Sequence, residues 1–144
     1  MAGFTGLVVL QHLILAANPS AYHAALQEAQ TQHKPLLVLV GADWCPGCQT
    51  MKQQVLPDLA RRGALRTVSF ATVNADTEAD LARQLMQGSS IPQLIVFCRK
   101  PDGEWHREQL TGESSESDVK SLIARAVRAQ QVPAATLVLG AIGN

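Results

Sequence analysis

The sequence lacks an excess of charge of either sign. Its 144 residues contain 12 Lys or Arg and 12 Asp or Glu, so the formal net charge is +0 at pH 7. Proteins that attract nucleic acid or anionic lipid electrostatically need a concentration of positive charge that this composition does not provide. We therefore predict no nucleic-acid partner.

Cysteine is scarce as well, with three residues in the chain. Three cysteines cannot form the dispersed framework of a small disulfide-rich secreted protein, and a chain of this length can bury a core without such bridges. Two of them, Cys45 and Cys48, are separated by only two residues, which indicates a chemical pair rather than an architectural one. The third, Cys98, lies in the apolar run 94–98, where a free cysteine behaves as a small buried hydrophobe.

The sequence also lacks the ligand spacing of a zinc site. Such a site needs four ligands, usually a second Cys-X-X-Cys or a pair of histidines at a defined spacing. The remaining candidates, which match no such pattern, are Cys98, His106, His12, His23 and His33. We therefore predict that the protein binds no metal and no cofactor.

Basic residues are missing from the beginning of the chain, where no Lys or Arg precedes Lys34. The apolar stretch 7–17 has the length of a signal-peptide core, but it lacks preceding positive charge and a good cleavage site. Leu7, Leu10 and Ile14 also have the spacing of a helix packed on the domain, so both interpretations stay open. The stretch is too short to cross a bilayer, and we predict no integral membrane span.

The predicted divisions of the chain are an N-terminal segment, 1–18, a domain, 19–132, and an apolar C-terminal tail, 133–144.

Hydrophobic periodicity and turn residues predict alternating helices and strands within the domain. The apolar run 36–40 has the length of a central strand covered on both faces. Asn18 and Pro19 predict a helix start, and Pro57 is expected to kink or end early the helix that the cysteines open. The predicted order is a helix to about His33, strand 36–40, the cysteine helix, strand 68–73, a short helix capped by Asp76 or Thr77, strands 94–98 and 104–110, and a last helix with Val119, Leu122, Ile123 and Val127 on one side. A parallel βαβ unit followed by a hairpin predicts an α/β fold, with a central mixed β-sheet and helices on both faces.

The cysteine pair lies where the first strand turns into a helix. Unpaired backbone N–H groups and the helix dipole place partial positive charge at a helix start, and this favours a thiolate there. We therefore expect Cys45 to be the attacking thiol, with a pKa below that of a free thiol, and Cys48 to be the resolving thiol. Pro46 suits the first helical turn, and Gly47 leaves room for the backbone of a partner protein.

The segment 42–48, Ala-Asp-Trp-Cys-Pro-Gly-Cys, resembles the active site of the thioredoxin superfamily. Other features resemble that family in the same order: a strand end at Val73–Asp76, a cis-proline segment at Ile91–Pro92, and a glycine before the last helix at Gly112. Several ordered motifs are more specific than any one of them. The resemblance implies a thioredoxin-like fold and a cis bond that makes Pro92 face the Cys45 sulfur. The residues it assigns to contact with protein partners are Trp44, Pro46, Gly47, Ile91 and Pro92.

Within the superfamily, the segments 33–35 and 42–45 resemble thioredoxin-like domains of bacterial extracytoplasmic thiol:disulfide interchange proteins. This favours an extracytoplasmic location, periplasmic or secreted, with the cytoplasm as the alternative. The sequence departs from thioredoxin in having Pro-Gly in place of Gly-Pro. It also has Leu39 and Thr72 at the places of a buried aspartate and its lysine partner. Proton transfer from Cys48 must then use water or another group.

Two functions remain open at this point. The first is a thiol-disulfide oxidoreductase that exchanges disulfides with protein partners as a reductase or electron carrier rather than a primary oxidant. We expect such a protein to be a monomer and to receive electrons from an upstream dithiol donor. The alternative is a thioredoxin-fold protein-binding module whose cysteines form a structural or regulatory disulfide. The Pro-Gly dipeptide does not fix the reduction potential, which depends on how strongly each redox state is stabilised.

Overall fold

The computed structural model describes residues 20–131, and a mixed four-stranded sheet organises them. Strand β1 (Leu36–Gly41) pairs in parallel with β2 (Ser69–Asn74) and antiparallel with β3 (Gln93–Arg99), which pairs antiparallel with β4 (Trp105–Thr111). The order across the sheet is β2-β1-β3-β4, so β1 is an inner strand, as predicted. The parallel unit and the hairpin are therefore both confirmed.

Helices cover the two faces of this sheet. They are α1 (Ala21–Gln32), α2 (Pro46–Thr50), α3 (Leu56–Arg61), α4 (Ala79–Leu85) and α5 (Glu116–Gln131), with a π-helical turn, Met51–Val55, between α2 and α3. On one face, Leu37 and Leu39 of β1 are buried in a cluster with Met51 and Leu122. On the other face, alternate residues of β1 are buried in a cluster with α1 and α4. Because both faces of β1 are covered, its sequence is continuously apolar.

Cys98 belongs to the first of these clusters. It lies on β3, is 1% exposed and forms no disulfide. Burial raises the pKa of its thiol above the ordinary value, and the nearby Glu108 carboxylate raises it further. The prediction that Cys98 is a small buried hydrophobe is confirmed.

Two predicted helix starts are wrong. Ser20, not Asn18, caps α1, because the Ser20 side chain accepts a hydrogen bond from the His23 N–H at 3.3 Å. The short helix α4 begins only after Glu78. The Asn74 side chain accepts hydrogen bonds from the N–H groups of the two predicted caps, at 2.8 Å from Asp76 and 3.3 Å from Thr77, and so holds that segment in a turn.

Pro57 does not end the cysteine helix early. The helical segment continues through α3 to Arg61, and the π-helical turn lies directly before the proline. In this turn the Leu56 N–H donates to the Met51 carbonyl, five residues back. A proline ring collides with the carbonyl of the preceding turn, and a wider turn gives that ring more room.

The predictions for segment 1–18, for the tail 133–144 and for the domain limits at 19 and 132 concern residues outside the described part. Between residues 20 and 131, no helix has the length and apolar character needed to cross a membrane.

Candidate active site at the Cys45–Cys48 disulfide

Cys45 and Cys48 are joined by a disulfide at the start of α2, and their Cα atoms are 5.2 Å apart. Cys45 is the N-cap residue, with extended backbone angles, and Pro46 occupies the first helical position. The Cys48 N–H points at the Cys45 sulfur, 3.2 Å away. The start of the helix therefore directs a backbone donor at the sulfur of Cys45.

Both cysteines are almost completely buried in the disulfide form. Cys45 is 6% exposed and Cys48 is 3% exposed. Trp44 and Pro46 beside them are exposed. A partner protein must therefore approach Cys45 across the side chains that surround it.

The loop before β3 lies against the cysteines. The Ile91–Pro92 peptide bond is cis, as the family resemblance implies. The Ile91 carbonyl oxygen is 3.9 Å from the Cys45 sulfur. A side-chain carbon built on Gly47 would lie 3.5 Å from the Pro92 ring, which is an ordinary contact distance. The fold thus brings residues 91 and 92 to the turn that carries the disulfide.

Trp44 is the largest exposed side chain of the site, at 70% exposure. Its indole N–H donates a hydrogen bond to the Asp76 carboxylate at 2.9 Å, so the exposed ring has a defined partner. Beside it lies a groove of about 440 Å³, whose lining includes Ala79, Met86 and Ile91. The groove places apolar surface next to the redox pair.

A smaller cavity lies beside Cys48, with a volume of about 40 Å³. Leu39 and Thr72, which stand at the places of the buried aspartate and lysine of thioredoxin, are partners across β1 and β2, and both line this cavity. Asp43 and Lys52 also contribute to its walls. A space of this size admits water, since about 15 Å³ is enough for one molecule.

Gln93 has a role that the sequence did not indicate. Its side chain is completely buried, with 0% exposure. Its amide N–H groups donate to the carbonyls of Gln87 at 2.9 Å and Ser90 at 3.0 Å, and its amide oxygen accepts from the Gln87 N–H at 3.1 Å. Gln93 therefore holds the loop that leads to Pro92. In the sequence, this role could have been inferred only from the placement of a glutamine directly before an apolar strand.

Gly41 and Asp76 also belong to the site without having been assigned to it. Gly41 lies against the side chain of Cys48, and the Asp76 carboxylate accepts the hydrogen bond of the Trp44 ring.

Within the described residues, no group of three or more His, Cys, Asp or Glu side chains is placed to hold a metal ion.

We predict that iodoacetamide labels Cys45 of the reduced protein about tenfold faster than Cys48 near neutral pH. Cys45 is at the helix start, where the Cys48 N–H points at its sulfur and favours the thiolate, which is the reactive form. Peptide mapping by mass spectrometry after short labelling times measures both rates. Faster labelling of Cys48 would reverse the assignment of attacking and resolving thiols.

Comparison with known proteins identifies the family. A thioredoxin-like family model matches residues 17–98, more than half of the chain. The chain is 32% identical over 119 residues to thiol:disulfide interchange protein DsbD 1 of Pseudomonas aeruginosa, covering 78% of this chain and 20% of that protein. It is 32% identical over 102 residues to probable 5'-adenylylsulfate reductase 1, chloroplastic, of Oryza sativa subsp. japonica, covering 69% of this chain and 20% of that protein.

The chain thus spans about a fifth of the length of these curated relatives. Among solved structures, a thioredoxin from Thermus thermophilus superposes with a TM-score of 0.64 at 24% identity, covering 78% of this chain and 88% of that one, and supports the fold. The chain has the fold and the paired cysteines of a thiol-disulfide oxidoreductase, and it belongs to the thioredoxin-like family.

Proposed function

We propose that this chain exchanges disulfides with protein partners through Cys45 and Cys48, as a reductase or electron carrier. The observation that carries the proposal is the placement of the Cys45–Cys48 disulfide at a helix start, beside the exposed ring of Trp44 and the Ile91 carbonyl. A purely structural disulfide needs neither the exposed aromatic ring nor the adjoining groove. The likeness to a thiol:disulfide interchange protein supports the same chemistry.

The exchange begins with the Cys45 thiolate. It attacks one sulfur of a partner disulfide, forms a mixed disulfide and releases the other partner sulfur as a thiolate, which takes a proton from solvent. The Cys48 N–H, directed at the Cys45 sulfur, stabilises the attacking thiolate. Backbone N–H groups at the helix start add to this stabilisation.

The second step depends on Cys48. Its thiol loses a proton, and the resulting thiolate forms a bond to the Cys45 sulfur. The bond between Cys45 and the partner breaks, and the partner leaves as a thiolate that is then protonated. Because Leu39 and Thr72 carry no carboxylate or amine, we assign transfer of this proton to water in the cavity beside Cys48, whose lining also includes Asp43 and Lys52. The protein ends this cycle oxidised, and an upstream dithiol donor returns it to the reduced form.

We assign partner contact to the surface around Cys45, in which Trp44 and Pro46 are exposed, Gly47 and Ile91 are half-buried and Pro92 is buried. Trp44 supplies an aromatic ring, Pro46 and Gly47 lie between the cysteines, and Ile91 and Pro92 border them. Trp44 and Ile91 line the apolar groove, which accommodates side chains next to the partner cysteine. The likeness to a thiol:disulfide interchange protein supports an extracytoplasmic location and action on protein thiols.

Reduction of insulin tests the proposal directly. We expect catalytic amounts of the protein to accelerate insulin reduction by dithiothreitol, and we expect no acceleration after its reduced cysteines are blocked with iodoacetamide. Equilibration with a glutathione buffer then gives the direction, since a reductase resists reduction by glutathione more strongly than an oxidant does. Blocked and unblocked protein with equal activity would instead favour a protein-binding module with a structural or regulatory disulfide.

A further inference from the structure

Gly41, the last residue of β1, lies against the side chain of Cys48. A side-chain carbon built on Gly41 would lie 2.9 Å from both the Cβ and the Sγ atoms of Cys48. Real side-chain carbons do not approach other atoms this closely, so a larger residue at this place forces a displacement. The missing side chain of Gly41 is therefore the space that the Cys48 sulfur occupies.

The backbone conformation does not explain this glycine. Gly41 does not adopt the left-handed φ found at Gly63, Gly88, Gly103 and Gly112. An ordinary L-residue would therefore fit its backbone, and only the contact with Cys48 opposes a side chain. The need for glycine at position 41 is therefore explained by the contact with Cys48 and not by the backbone conformation of a turn.

Neither partner in this contact can easily move. Gly41 pairs with Asn74 in the parallel ladder, and its carbonyl accepts a hydrogen bond from the Ala75 N–H at 2.8 Å. Cys48 is 3% exposed and is bonded to Cys45. A side chain at position 41 would therefore act on the sulfur of Cys48 instead of being absorbed by the surroundings.

The same space adjoins the cavity beside Cys48. Gly41 and Cys48 both line it, together with Thr72 of β2. A methyl group on Gly41 would collide with the side chain of Cys48, a residue that lines this cavity. The glycine thus affects both the position of the sulfur and its contact with water.

We propose that Gly41 is a positioning residue for the resolving step. Its missing side chain lets the Cys48 sulfur lie within reach of Cys45 and keeps that sulfur next to the cavity that receives its proton. This inference rests on the proposed role of Cys48 as the resolving thiol. It extends the site by a residue that touches no partner protein.

Gly41→Ala tests this role when the two steps are timed separately. The reduced protein is mixed in a stopped-flow instrument with an aromatic disulfide whose thiols absorb visible light. The first thiol is released when Cys45 attacks, and the second is released when Cys48 resolves the adduct. We expect the first rate to change less than about twofold, and the second to fall about tenfold, as an overpacking cost above about 1 kcal/mol implies.

The equilibrium with glutathione provides a second readout. The disulfide holds the Cys48 sulfur in one place, whereas the reduced side chain can rotate away from an added methyl group. Gly41→Ala is therefore expected to shift the equilibrium about tenfold toward the dithiol form. Gly103→Ala, in the distant β3–β4 turn with a φ of 88°, is the control for general destabilisation and should leave both rates and this equilibrium unchanged.

Unfolding of the disulfide form, without added reductant, keeps the test decisive if Gly41→Ala folds poorly. We expect this change to lower the Tm by roughly 5 to 10 °C in the wild-type background. In the Cys48→Gly background, which removes both contacted atoms, its effect on the Tm should largely disappear.

Equal loss of Tm in both backgrounds would overturn the assignment, as would an equal fall of both release rates or no change in the second. These results differ from failure of the proposed function, in which the wild-type protein would release no second thiol.

Discussion

Cys48→Ser is expected to convert short-lived mixed disulfides into stable ones. Attack by Cys45 stays possible, because the helix start and the Cys48 N–H, a backbone group, are retained. Release of the partner requires a second thiol held next to the bridge. Well-placed intramolecular groups act as though present at very high concentration, so the adduct should live about a thousandfold longer.

Non-reducing electrophoresis and mass spectrometry measure these adducts, using insulin as the defined partner and a cell extract as the mixed one. Cys45→Ser should form few adducts, because the remaining thiol of Cys48 lies within α2 and lacks the N–H group that the helix start directs at the Cys45 sulfur. Cys98→Ser is the matched control, since Cys98 is buried on β3 away from the disulfide and carries no exchange step. Equal trapping by both active-site variants, or trapping that depends on Cys98, would show that the wrong sulfur has been assigned.

Trp44→Ala is expected to lower kcat/KM for insulin reduction by about 10- to 100-fold. Trp44 supplies a large exposed ring beside Cys45, and aromatic residues at such positions commonly contribute about 1.5 to 3 kcal/mol to protein contacts. A small aromatic disulfide covers much less of this surface than a protein partner does. Its rate of reduction by the same variant should therefore change less than about threefold.

Trp105→Ala is the matched control for the loss of an exposed tryptophan. Trp105 is 55% exposed and lies at the start of β4, at the far end of the hairpin from Pro92. Asp76→Ala removes the acceptor of the indole hydrogen bond and should produce a smaller loss than Trp44→Ala. If Trp44→Ala slowed insulin and the small disulfide equally, the ring would act on the chemistry of Cys45 and not on partner contact.

The sequence predicted those parts of the molecule that depend on local chemistry. Apolar runs predicted β1 and β3, and turn residues after β3 predicted the return strand β4. The strand-to-helix position of Cys45 followed from the spacing of apolar residues around it. The errors were also local, because hydrogen bonds from neighbouring side chains set these helix starts. Ser20 took the cap expected of Asn18, and Asn74 held the segment in which Asp76 or Thr77 was expected to start a helix.

The sequence by itself determined that Cys45 and Cys48 lie close enough to pair and that they open a helix, since a separation of three residues and one helical turn suffice for both. Only the tertiary structure decided what surrounds the pair. Trp44 meets Asp76 across 32 residues, and the Ile91 carbonyl approaches Cys45 across 46. Gly41 and Cys48 come into contact because β1 and α2 pack together, which no local pattern of residues specifies. Such contacts depend on how the sheet and helices pack as a whole, and packing fixes distances to fractions of an ångström that periodicity does not encode.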